Sequence, residues 1–125
     1  MTQEERELLL KDLCARLPYG VKVQCDKYPH PVTILYAGNI NEVKFAETGG
    51  IEHINSIKPY LRPMSSMTDE EEILFRCELP TKAKTDAQLV AMRMELFLKG
   101  HLDYNHLIEK GLALEAPEDM YTINN

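Results

Sequence analysis

The sequence predicts an α+β fold in one domain spanning residues 1–125. Three observations carry that expectation: leucines at helical spacing open the chain, apolar side chains alternate two by two through its middle, and helix-capping signals return in its last third. The expected architecture is an N-terminal helix, a small antiparallel meander of three or four strands, either open or barrel-like, and two or three C-terminal helices packed on it.

The opening segment, "TQEERELLLKDLCARLP", places Thr2 three residues before Glu5, the spacing of a capping box in which each side chain satisfies an otherwise unpaired amide of the first turn. Leu9, Leu13 and Leu17 then recur every four residues, with Leu10 and Cys14 beside them, and Pro18 ends the amphipathic helix. Beyond it Val21, Val23 and Cys25 alternate with Lys22 and Gln24, which is strand periodicity. "PVTILYAGN" follows, with Val32, Ile34 and Tyr36 expected on one face and Gly38-Asn39 as a turn into "INEVKFAE". "IEHINSIKPYL" reads as one weak strand, because its apolar residues at 51, 54 and 57 fit neither period well.

Helical signals then return. Thr68 and Glu71 repeat the capping-box spacing, and the carboxylates at 69–72 lie where unpaired helix amides favour negative charge, so a helix is expected from there to about Leu79. Thr85 with Gln88 marks the next start. "DAQLVAMRMELFLK" is a strong helix former with Gly100 placed to end it, and its apolar residues circle most of the helix, which requires cover on two sides or a partner. Asp103 is placed to cap a short helical turn over "YNHLIEK", and "LALEAP" suits an edge strand or an extended tail.

At 125 residues, with 44% hydrophobic and 27% charged side chains, the chain suits one compact core. The formal charge is −6 and gathers toward the C-terminus, while no cluster of Lys and Arg is present to neutralise a phosphate backbone. Nucleic acid is therefore a disfavoured partner. No apolar run approaches the roughly 18 residues of a spanning helix, so no membrane role is expected. The start lacks the cationic, apolar and small-residue order of a signal peptide, and Cys14, Cys25 and Cys77 form no CxxC pair. A reducing cytoplasm is the expected compartment, with the cysteines acting as small buried hydrophobes.

Candidate chemistry is sparse. In "YLRPMSSMTDEEE", Pro59 and Pro63 stiffen an extended arm around Tyr60 and Arg62. The arm is either a joint, with Arg62 paired to a carboxylate, or a contact in which Tyr60 and Arg62 meet an anionic ligand or a partner protein. In "HLDYNH", His101 and His106 are five residues apart, which does not match zinc-ligand spacing on one helix face, and Asp103 is the polar position kept as a candidate binding residue. The acidic run at 69–72 reads as a solvated helix start rather than a metal site, and neither GxSxG nor a glycine-rich phosphate loop occurs. No cofactor or metal is expected.

Three strings, "KDLCARLPYGVKVQ", "IKPYLRPMSSMTDEEE" and "LDYNHLIEKGLALEAPEDMY", resemble blocks of a family of small uncharacterised proteins encoded by phages, prophages and mobile elements of gut anaerobic bacteria. The resemblance covers about half of the chain. It implies a mobile-element setting and cytoplasmic action in a bacterial host, and brings no activity with it. The function expected is that of a non-enzymatic binding protein acting on a host protein or as a small homo-oligomer, with Tyr60, Arg62 and Asp103 as binding residues. The alternatives are a small-molecule binder that sequesters an anionic nucleotide-type ligand and, third, a small metal-dependent enzyme using the His101–His106 region.

Overall fold

The computed structural model of the chain describes residues 2–37, 42–76 and 86–121. Helix α1 runs from Gln3 to Arg16 with Thr2 as its N-cap, and both halves of the capping box form. Pro18 stands in a 3-10 turn that follows directly. The strands are β1 (Lys22–Cys25), β2 (Val32–Ala37), β3 (Glu42–Phe45), β4 (Ile51–His53), β5 (Ile57–Leu61) and β6 (Leu114–Glu115). Helices α2 (Asp69–Arg76) and α3 (Asp86–Lys99) lie between β5 and β6 in sequence.

The six strands form one open mixed sheet in the order β4-β3-β2-β1-β5-β6. Strands β1 to β4 are the expected meander, β5 joins antiparallel beside β1, and β6 adds a parallel edge. Two expectations need correction. The sheet does not curl toward a barrel, since β4 and β6 are its two separate edges, and it has six strands rather than three or four. The fifth strand is hidden in sequence because the stretch that reads as one weak strand is two, split by a 3-10 turn at Ile54–Ser56. That turn buries Ile54 in the core and sends the chain from the β4 edge to the far side of β1.

Val21, Val23 and Cys25 are buried as their alternation requires, and with Ile34, Phe45, Ile57 and Leu61 they form a layer against Leu9 and Leu13 of α1. In β2 the alternation breaks. The register slips between Ile34 and Tyr36, so that Ile34 faces buried Phe45 while Tyr36, expected on the core face, is instead outward beside Lys44. An extra residue in one strand turns two successive side chains away from the core, and Leu35 is exposed with Tyr36.

Among the described residues the C-terminal region has two α-helices. Residues 103–110, expected as a third, are a run of turns. Gly100 follows α3 as expected, but the left-handed residue is His101, with φ of 54°. Gly100 serves a different need, because a Cβ there would stand 2.8 Å from Glu71 Oε2 and 3.2 Å from Arg62 Nη1. Cys25 is buried, whereas Cys14 is exposed on α1, contrary to its expected burial. The Gly38-Asn39 turn, Cys77, the reach of α2 to Leu79 and the Thr85 cap lie outside the described residues.

Candidate functional site

The arm around Arg62 is extended, and its backbone is held on both sides. Pro59 pairs with Val23 of β1, and Tyr60 and Leu61 pair with Leu114 and Glu115 of β6. Arg62 continues the ladder, donating its amide to the His101 carbonyl at 2.8 Å and accepting the Asp103 amide at 2.8 Å. A 3-10 turn at Met64–Ser66 then hands the chain to α2, whose capping box forms between Thr68 and Glu71.

The Arg62 side chain turns inward. Its Nη2 donates to Glu71 Oε1 at 2.6 Å and to the Ser66 carbonyl at 2.9 Å, and its Nη1 donates to Glu71 Oε2 and to the Gly100 carbonyl, both at 3.1 Å. This is the bidentate fork that best fits a guanidinium to a carboxylate. Burial raises the energy of the Glu71 carboxylate, but the hydrogen bonds from Arg62 and Thr68 outweigh it and hold its pKa below the ordinary value. Arg62 thus ties together β5, the start of α2 and the end of α3.

Asp103 is equally engaged. It is 4% exposed, and its two oxygens accept the amides of Leu107 at 2.8 Å and Ile108 at 3.0 Å, closing the turns that seat Leu107 in the core. Tyr60 is half-buried, and its carbonyl accepts the Tyr121 hydroxyl at 2.7 Å. The structure therefore brings Tyr60, Arg62 and Asp103 into one knot, with the polar groups of the Arg62 and Asp103 side chains turned to internal partners.

A second polar cluster, not singled out in the sequence, lies beneath α1. Arg16 is fully buried, donates from Nε to Asp12 Oδ2 at 2.7 Å and from Nη2 to the Leu102 carbonyl at 2.6 Å, and stands 5.2 Å from the Tyr104 ring centroid. Asn105 adds a bond to Asp12 at 2.9 Å. His101 is packed against the Tyr121 ring, with centroids 4.0 Å apart, and its Nε2 meets the Tyr19 carbonyl at 2.9 Å. Burial brings the His101 pKa down to about 4, with Arg16 and Arg62 adding to that effect and Tyr19 and Asp12 opposing it. The same burial pushes Tyr121 up to about 12. The available signal was spacing: Asp12 and Arg16 are four residues apart on the stripe that holds Leu9 and Leu13.

His106 is exposed and lies in a turn, apart from the buried His101. Among the described residues no three His, Cys, Asp or Glu side chains group as metal ligands. Beside the arm, Arg62, Ser66, Thr68, Glu115, Glu118 and Tyr121 line an open cavity of about 480 Å³. Two carboxylates on that cavity and a guanidinium already matched by Glu71 give it the wrong sign for an anionic ligand. No described helix is long and apolar enough to cross a membrane.

Apolar side chains, by contrast, are displayed on two faces. Tyr36, Lys44 and Ile51 form one cross-strand row at the β4 end of the sheet, with Leu35 added by the bulge; Leu35 and Ile51 are each 54% exposed. On α3, Val90 is 60% exposed and Met92 and Met94 are exposed as well.

Compared with known protein families, curated proteins and solved structures, the chain matches none. What the molecule can do is therefore argued from these surfaces and the knot behind them.

Proposed function

We infer that the protein is a non-enzymatic interaction protein that docks on another protein through the outer face of its sheet. The observation that carries this reading is the row Tyr36–Lys44–Ile51 with Leu35 beside it, an apolar patch made by a bulge rather than by ordinary alternation. A bulge re-aims side chains, and apolar residues that gather on a surface characteristically mark contact sites. The contrast with the polar residues supports the same reading, because Arg62, Asp103, Asp12 and Arg16 all face internal partners. The partner is a protein with an apolar patch of its own. The resemblance of three sequence blocks to phage and mobile-element proteins suggests a bacterial host protein in the cytoplasm as its source.

The test compares the tagged wild-type chain with Tyr36→Asp and Ile51→Asp variants in capture from a bacterial host lysate, followed by binding of the purified captured protein. Both variants keep the buried core, so circular dichroism should match the wild type. One defined protein should bind the wild type and lose at least about tenfold in affinity with either variant, the loss of about 1.4 kcal/mol typical of a contact near an interface centre. Equal binding by all three chains would contradict the reading.

A further inference from the structure

We propose that the segment from Pro117 to Tyr121 is a lid that opens as a unit, swinging the Tyr121 side chain off His101 and joining the open cavity beside the Arg62 arm to that buried imidazole while the rest of the fold stays closed. The inference is independent of the sheet face and its partner.

Strand β5 changes partners along its length. Ile57, Lys58 and Pro59 pair with Cys25, Gln24 and Val23 of β1, whereas Arg62 bonds through its backbone to His101 and Asp103. Continuing the β1 register would set Tyr60 opposite Lys22, the next pair able to carry ladder hydrogen bonds, because Pro59 has no amide to give. That pair is not part of the ladder. The Tyr121 hydroxyl stands in its place, accepting the Lys22 amide at 2.9 Å and donating to the Tyr60 carbonyl at 2.7 Å. A side chain from the C-terminal segment thus plugs the point where the two partners of β5 meet.

The plug is lightly held. Pro117, Glu118 and Asp119 are exposed, while Met120 and Tyr121 are half-buried and stand outside the apolar core. The segment closes on itself, with the Met120 amide donating to the Pro117 carbonyl at 3.0 Å, and the bond from the Ala116 amide to the Leu61 carbonyl at 2.8 Å ties down its start as a hinge. Such a segment, with few buried apolar contacts, opens at a lower free energy than the whole fold. The Tyr121 ring covers His101, which is 3% exposed beneath it, and also lines the cavity of about 480 Å³, so the ring has space to leave without displacing the core. His101 itself favours opening. Its Nε2 stands 2.9 Å from the Tyr19 carbonyl, which can only accept, so Nε2 carries the ring proton and Nδ1 keeps a bare lone pair. Nδ1 is buried with no hydrogen-bond partner among the described residues, and uncovering the ring lets water satisfy it.

Diethyl pyrocarbonate, which acylates the unprotonated nitrogen of an imidazole, tests the proposal on the full chain at neutral pH, with each histidine read by peptide mass spectrometry and exposed His106 as the rate reference. In the wild type the labelling rate of His101 relative to His106 should exceed the ratio of unfolded to folded chains, extrapolated from urea unfolding, by at least about tenfold, and should stay nearly flat in low urea. Val43→Ala, in the core on β3, should raise the unfolded ratio about tenfold yet change His101 labelling by less than about twofold. Tyr121→Phe, which keeps the ring and loses the hydroxyl, should speed His101 labelling about fivefold. Labelling that equals the unfolded ratio, climbs with urea as steeply as global unfolding, or rises in step with Val43→Ala overturns the proposal, as does a Tyr121→Phe chain labelled no faster than the wild type. None of these outcomes alters the sheet-face reading, which is judged by the captured protein alone.

Discussion

Helices α1 and α3 have the same length, 14 residues, and opposite fates. Charged residues crowd α1, yet it buries Leu9, Asp12, Leu13 and Arg16. The far more apolar α3 buries none of its residues from 87 to 99 fully. Overall hydrophobicity therefore does not decide which helix enters the core. What separates the two helices is that the charged groups on the inward stripe of α1 find partners in a bidentate ion pair, the Leu102 carbonyl, Asn105 and the Tyr104 ring, with Arg16 Nη1 left without a hydrogen bond. Helix α3 meets α2 and α1 and stacks Phe97 on Tyr104, while Val90 and Met94 stay exposed beside that contact.

The largest expected effect breaks α1 at its charged pair. Asp12→Ala leaves the buried Arg16 guanidinium without its carboxylate, and urea unfolding should show a loss of about 3–5 kcal/mol. Glu95→Ala on the exposed side of α3 should change stability by no more than about 0.5 kcal/mol. Equal losses would erase the distinction between the helices.

Acid should act next, through His101. Its folded pKa of about 4 lies below the unfolded value near 6.5, so the neutral ring stabilises the fold fully above that unfolded value, and the contribution fades as pH falls from there to about 4. Arg16 and Arg62 oppose the proton and Asp12 favours it. Stability measured from pH 7 to pH 4 should fall in the wild type by on the order of 2–3 kcal/mol more than in His101→Asn, whose side chain tolerates the left-handed backbone. Glu71 acts in a lower window, because its pKa is depressed and its contribution is lost only as pH falls through that folded value. Parallel curves for the two chains would show that the His101 ring is not held neutral by burial.

The parts of the molecule legible in sequence are those governed by spacing within a few residues. Both described capping boxes, at Thr2 and Thr68, follow from an acid three residues after a threonine. Strand β1 follows from period-two alternation, and the edge strand at Leu114–Glu115 is one of the two readings, edge strand or extended tail, that "LALEAP" allows. The 3-10 turn at Ile54–Ser56 is invisible to periodicity because it interrupts two strands after only three residues of the first. The bulge at Leu35 is equally hidden, since it depends on the register against β3. Arg62 shows the limit for the candidate site: its stiffness was readable from Pro59 and Pro63, but the Gly100 carbonyl lies 38 residues away in the chain. The Leu102 carbonyl that accepts from Arg16 lies 86 residues away.

The smallest expected effect is also the most direct test of the central contrast, that partnered charges let α1 enter the core while Val90 and Met94 of α3 stay outside it. Val90→Gln/Met94→Gln, unfolded in urea, should lie within about 0.5 kcal/mol of the wild type. A loss of about 2 kcal/mol or more, the size seen when a buried large aliphatic side chain is cut back, would place these two side chains in the core and contradict the account.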